Sequence, residues 1–223
     1  MAAYPYKLRW LVLLVFMPML ATAQFGYWTN NGTITISQYY GSGGAVIIPS
    51  SINGLPVTTI ENYTFQNNQS ITSITFPDSI TNAELQAFYD CTNLSQVTFR
   101  NSPASIGSSV FAYCSSLTNC ALGTNITGIG DYAFSESGLV SAALPDSVTD
   151  IGNEAFSYCA SLANVTIGSG VQNIGDNAFS DCTSLGEIYF AGNAPSTGWA
   201  IFLNDAATVF YLPGTTGWGT NFG

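Results

Sequence analysis

Phenylalanine recurs along this chain at a fixed period. Phe65, Phe88, Phe111, Phe134, Phe156 and Phe179 are separated by 23, 23, 23, 22 and 23 residues. Such a period constrains the fold more than any local propensity, because it marks stacked supersecondary units. Five residues before each Phe stand Ile60, Ala83, Ile106, Ile129, Ile151 and Ile174, and Gly107, Gly130, Gly152 and Gly175 follow four of these directly. After each Phe come Ile71, Leu94, Leu117, Leu139, Leu162 and Leu185, then Ile74, Val97, Cys120, Ala142, Val165 and Ile188, then Phe76, Phe99, Leu122, Leu144, Ile167 and Phe190. One residue missing between Phe134 and Leu139 accounts for the shorter interval, and it falls in a connecting segment where loss is tolerated.

Each unit reads as two parts. The Leu-x-x-Val-x-Ile segment alternates apolar and polar residues, the period of a short strand with one buried face. The Ile-Gly-x-x-Ala-Phe segment is too short for a stable isolated helix and is expected to form one helical or 3₁₀ turn. A single unit cannot bury its apolar side, so the copies must stack and pair equivalent strands. The expected fold is a repeat solenoid with a parallel β-sheet on one face and short helical or 3₁₀ turns on the other.

Units such as IGNEAFSYCASLANVTI at 151–167 and IGDNAFSDCTSLGEIYF at 174–190 resemble the BspA-type, or treponemal-type, bacterial leucine-rich repeat. The second copy departs from the pattern with Ala83 and Glu84 in place of Ile-Gly, and the third with Cys120 in place of the strand Val. The resemblance implies six repeats over 60–190, an N-terminal β cap and divergent first unit at 24–59, and a C-terminal cap at 191–223. It also implies a protein that is exported or surface-exposed and engaged in adhesion or protein binding. Solenoid ends need caps because their cores would otherwise face water. The aromatic clusters Tyr27, Trp28, Tyr39, Tyr40 and Trp199, Phe210, Trp218 suit that purpose, and a ligand platform is the alternative role.

Residues 1–23 have the layout of a secretory signal: Lys7 and Arg9 precede an apolar run from Trp10 to Leu20, and Ala21-Thr22-Ala23 supplies small residues for cleavage. That run is about half the ~20 residues a membrane span needs, so the mature chain is expected to be secreted or at the cell surface without a membrane span. Cleavage leaves one cation, Arg100, against thirteen acids, a net charge of about −12. Such a surface repels phosphate backbones, which excludes nucleic acid as a partner. Although charged residues make up only 7% of the chain, its 47% hydrophobic content argues for a folded core beneath a mostly uncharged polar surface.

Histidine is absent, and the mature chain has no lysine. The commonest general base, the commonest zinc ligand and Schiff-base chemistry are therefore missing, and the chain is expected not to be an enzyme or to carry a cofactor. Asp90, Glu136 and Asp181 lie two residues after their Phe, and Asp131 and Asp176 three before, so the acids follow the repeat and mark a solvated face. Stacked carboxylates are also suitable oxygen ligands for calcium, but no EF-hand or GGxGxD repeat is present. Cys91, Cys114, Cys159 and Cys182 share the third position after a Phe, where Asn68 and Ser137 stand in the other units. That interchange favours buried free thiols at an inward turn over disulfides, although adjacent rungs ~4.8 Å apart are within bridging range.

The outward positions of the alternating strands form the candidate binding face: Ser73, Thr75, Gln96, Thr98, Asn119, Asn164, Thr166, Glu187 and Tyr189. They are mostly small and uncharged, suited to a protein or glycan partner bound with modest affinity or to self-association in an architectural component.

Overall fold

The computed structural model describes residues 23–102, 104–219 and 222; the secretory signal expected at 1–23 lies almost wholly outside them. Residues 25–211 wind into a β-solenoid whose rungs are held by three hydrogen-bonded ladders.

The longest ladder starts with the hairpin of Phe25–Asn30 and Thr33–Tyr39, closed at Asn31 and Gly32, both in the left-handed backbone region that a two-residue hairpin turn requires. Thr33–Tyr39 pairs in parallel with Leu55–Ile60, and a row of two-residue strands follows: Asn82–Ala83, Ser105–Ile106, Gly128–Ile129, Asp150–Ile151, Asn173–Ile174 and Ser196–Thr197. Each strand of the row ends on the residue five before the Phe, or on Thr197 at its last member.

The second ladder carries the alternating segments. Gly44–Ile47, Ile71–Phe76, Gln96–Phe99 and Asn119–Ala121 form one parallel sheet, and Ser141–Leu144, Asn164–Ile167, Glu187–Phe190 and Thr208–Tyr211 form another. Asn119–Ala121 and Ser141–Leu144 are not paired. The break coincides with the residue missing after Phe134, and the inward positions on its two sides carry the small Cys120 and Ala142 instead of Val or Ile. The other two ladders run through this junction intact.

The third ladder corrects the expectation of helical or 3₁₀ turns. Residues two before and two after each Phe, such as Tyr63 and Asn67 or Glu154 and Tyr158, have φ between 51° and 63°. Two left-handed residues so close together cannot belong to a right-handed helix. Instead, the N–H groups of Tyr63, Phe65 and Asn67 donate to the carbonyls of Leu85, Ala87 and Tyr89 in the next rung, while those of Thr64, Gln66 and Asn68 close tight turns onto Glu61, Tyr63 and Phe65. The pattern repeats as far as Asp181 donating to Leu203. Backbone donors of the segment are thereby satisfied alternately within the rung and between rungs. The second correction concerns the sheets: parallel strands occupy two faces of the solenoid, where one was expected.

The Phe rings are buried and stacked along the axis, with centroids 4.6, 5.3, 5.4, 5.2 and 5.1 Å apart from Phe65 to Phe179. Tyr39 continues the stack at one end, 4.9 Å from Phe65, and Phe202 at the other, 5.9 Å from Phe179. Residues 191–211 thus add a further rung before the chain closes. Trp218 covers that end against Phe190 and Tyr211, while Tyr40 and Trp199 are 68% and 74% exposed and cover no core.

The thiols are unbridged, and those of the repeat column are buried. Cys91, Cys114, Cys159 and Cys182 donate from Sγ to the carbonyls of Phe65, Phe88, Phe134 and Phe156 at 3.0–3.2 Å. Ser137 hydrogen-bonds the Sγ of Cys159 and Asn68 accepts from the amides of Ser70 and Ile71, so in the six repeats this column takes a small hydrogen-bonding group, whether thiol, hydroxyl or amide. Burial pushes the Cys91 thiol up to about 12 and raises Cys114 as well, which keeps both protonated and unreactive.

Asp205 occupies the same column one rung beyond Cys182, and neither of its shielded carboxylate oxygens has a hydrogen-bond partner. Burial raises its pKa from 3.8 to about 6; the Cys182 backbone offsets part of this, and the Asp181 charge adds to it. A carboxyl whose folded pKa is raised favours the folded state most below its unfolded value and loses that contribution as pH rises through the folded value. The last rung is therefore expected to be tightest below about pH 4 and to loosen as the pH rises from there through about 6. Asp146 and Asp150, held low by hydrogen bonds from Ser169 and from Thr149 and Asn173, act in the opposite sense, so a local readout is required. Amide hydrogen exchange over residues 199–211 supplies one. Asp205→Asn should abolish the pH dependence, and equal dependence in the variant would dismiss the role of Asp205.

Candidate binding face

In a parallel sheet with one buried side, alternate residues point outward. The register places Ser73, Gln96 and Asn119 in one outward column and Thr75, Thr98 and Ala121 in the next. Beyond the break, the columns continue as Ser141, Asn164, Glu187 and Thr208, and as Ala143, Thr166, Tyr189 and Phe210. All nine expected residues face outward, but the interrupted sheet divides them. Ser73, Thr75, Gln96, Thr98 and Asn119 lie together on the first sheet, and Asn164, Thr166, Glu187 and Tyr189 on the second.

The two halves differ in chemistry. Ser73, Thr75 and Thr98 are half-buried and offer small hydroxyls. On the second half, Tyr189 stacks on Phe210 with centroids 4.9 Å apart and planes 14° from parallel, and both rings are about 40% exposed. The Tyr189 hydroxyl donates to Glu187 Oε2 at 2.8 Å, which fixes the ring and raises its pKa. Tyr189, Ala191, Phe210, Tyr211 and Leu212 border a groove of about 330 Å³. Exposed apolar area concentrated in this way marks an interaction site more often than scattered single residues do. Phe210, Tyr211 and Leu212 are missing from the expected face because Phe210 follows Tyr189 by 21 residues, outside the 23-residue phase.

The recurring acids have a structural use. Oδ1 atoms of Asp131 and Asp176 accept the backbone N–H groups of Asn153 and Trp199, one rung on, at 2.7 and 2.6 Å, and Asp146 does the same for Ser169. Asn153 takes the equivalent place toward Asp176 at 2.8 Å. Among the described residues, no group of three or more His, Cys, Asp or Glu converges to hold a metal ion, and no helix is long and apolar enough to cross a membrane.

A family model described as BspA type leucine rich repeat region matches in six copies over residues 44–163 and 121–217. The chain belongs to this family. The crystal structure of the T. pallidum leucine rich repeat protein superposes with a TM-score of 0.74 at 32% identity, covering 82% of this chain and 87% of that one. A leucine-rich repeat protein from Bacteroides ovatus matches with a TM-score of 0.59 at 22% identity over 84% of this chain and 70% of its own. The pneumococcal vaccine antigen PcpA matches with a TM-score of 0.55 at 20% identity over 86% of this chain and 49% of its own. These last two likenesses extend to the fold alone. A search of the curated proteins finds no match.

Proposed function

We propose that this BspA-type repeat protein is an exported, non-catalytic binding module that holds a protein or glycan partner at the cell surface through the second half of its sheet face. The stacked pair Tyr189 and Phe210 carries the reading. Two rigid aromatic rings beside a groove supply large contact area at low entropic cost, the usual chemistry of a binding hot spot. The signal-like residues 1–23 support export. The lack of His and Lys in the mature sequence, together with Asp131, Asp146 and Asp176 committed to backbone amides, supports a non-catalytic role.

Self-association is a second reading, favoured by the strand Thr208–Tyr211. It pairs on one side with Glu187–Phe190 and ends its sheet, leaving an edge available for another strand. One variant, Tyr189→Ala with Phe210→Ala, tests both. The mature chain is passed over immobilised matrix proteins and glycans, and retention is expected to fall at least tenfold in the variant and to stay within twofold in Thr75→Ala with Thr98→Ala. Equal retention of all three proteins would reject the aromatic face. Sedimentation that depends on concentration in the parent and not in the aromatic variant would establish self-association in its place.

A further inference from the structure

The edge formed by the Phe-bearing turns carries a second surface, independent of the sheet face. Tyr89, Tyr113, Tyr132 and Tyr158 border a cleft of about 220 Å³ together with Glu136 and Glu154. Tyr89 and Tyr113 pack with ring centroids 5.1 Å apart, and Tyr113, Tyr132 and Tyr158 are 41%, 41% and 53% exposed. Glu154 is held rather than free to swing. The Tyr132 hydroxyl donates to Glu154 Oε1 at 2.9 Å, and a hydrogen bond to Glu136 raises the Tyr113 pKa. Left-handed backbone is cheapest for Gly, Asn and Asp, yet Tyr113, Tyr132 and Tyr158 occupy it at φ 62°, 57° and 57°.

From the charge complementarity of this cleft, we propose that it binds an arginine side chain of a basic protein segment. A guanidinium stacks on a tyrosine face while its planar fork donates to a carboxylate, and the cleft offers both partners side by side. No cation of the described residues competes for it. Arg100, the one basic residue among them, lies at a different corner of the rung, beside Ile48 and Pro77.

The probe is a hexa-arginine peptide titrated calorimetrically into the mature chain at physiological salt, with hexa-glutamate as the reverse-charge control. Because the whole protein is acidic, two charge-matched double variants separate a site from a diffuse field. Glu136→Gln with Glu154→Gln is expected to weaken binding at least tenfold. Glu61→Gln with Glu84→Gln, which removes the same charge elsewhere, should stay within twofold. Tyr158→Ser, which leaves both carboxylates in place, should weaken binding several-fold. Equal losses in the two double variants, or no saturable binding to the parent, would overturn the site. Tyr189→Ala with Phe210→Ala should still bind the peptide, which keeps this result separate from the fate of the sheet-face reading.

Discussion

Phe134→Ala is expected to destabilise the protein by ~3–5 kcal/mol, the usual consequence of deleting a fully buried aromatic side chain and leaving a cavity. Phe134 is 1% exposed and lies between Phe111 and Phe156 at 5.4 and 5.2 Å, so the rings on both sides lose stacking contacts. The location makes the effect larger than at an ordinary rung. Solenoid stability is approximately a sum of rung and junction contributions, and the junction between Phe111 and Phe134 is the one where Asn119–Ala121 and Ser141–Leu144 are unpaired. Cohesion there depends on the two-residue strand pairing of Ile106 with Ile129, on the turn ladder and on the Phe stack. Weakening the stack should therefore uncouple the two halves, so that calorimetry shows two transitions for Phe134→Ala. Phe88→Ala, at a junction whose ladders are all intact, should lower a single transition. An unchanged melting curve for Phe134→Ala would refute the stacked-rung account at that position.

The same junction shows how far sequence carries and where it stops. Phase and inward columns follow directly from the Phe, Leu and Val/Ile periods, because buried positions in a stacked repeat admit few side chains. The deletion after Phe134 is legible as a shorter interval, but its effect on strand pairing depends on the geometry of the neighbouring rung. The second parallel face shows in the sequence only as the column of Ile, with Ala83, five before each Phe: strands such as Asp150–Ile151 are two residues long, too short to display the alternation that marks a strand. The left-handed residues beside each Phe are hidden for a different reason. They carry Tyr, Gln, Glu, Ser, Asn and Asp indifferently, since the inter-rung hydrogen bonds of the backbone hold the conformation whatever the side chain. On the binding face, the outward columns are legible from alternation. Tyr189 is read with them, whereas Phe210, Tyr211 and Leu212 are not, because the last rung breaks the period, and the tyrosine cleft is hidden because the positions two before and two after each Phe carry no consistent side chain.

Gly152→Ala is the second change expected to matter, and its sign runs against the usual rule. Replacing Gly by Ala at a position with ordinary φ reduces the freedom of the unfolded chain and normally stabilises by ~0.4–1 kcal/mol. Gly152 is not among the residues with positive φ, so its backbone would accept a side chain. Space forbids it. An added Cβ would lie 2.5 Å from the Asp131 backbone nitrogen and 2.6 Å from both Asp131 Oδ1 and the Gly130 carbonyl carbon. Two of those atoms are backbone of the preceding rung and cannot rotate away. Relief requires the rungs to separate, which stretches the 2.8 Å bond from Gly152 N–H to the Ile129 carbonyl and the 2.7 Å bond from Asn153 N–H to Asp131. Overpacking of this kind costs ~1–3 kcal/mol. Gly128 supplies the internal control, because its φ is ordinary and a Cβ added there would meet nothing within 4 Å. Gly128→Ala should be neutral or slightly stabilising by urea denaturation while Gly152→Ala is clearly destabilised. Equal stabilities would mean that the glycines after Ile do not set the spacing of the rungs, and that the close approach at Gly130 and Gly175 needs another explanation.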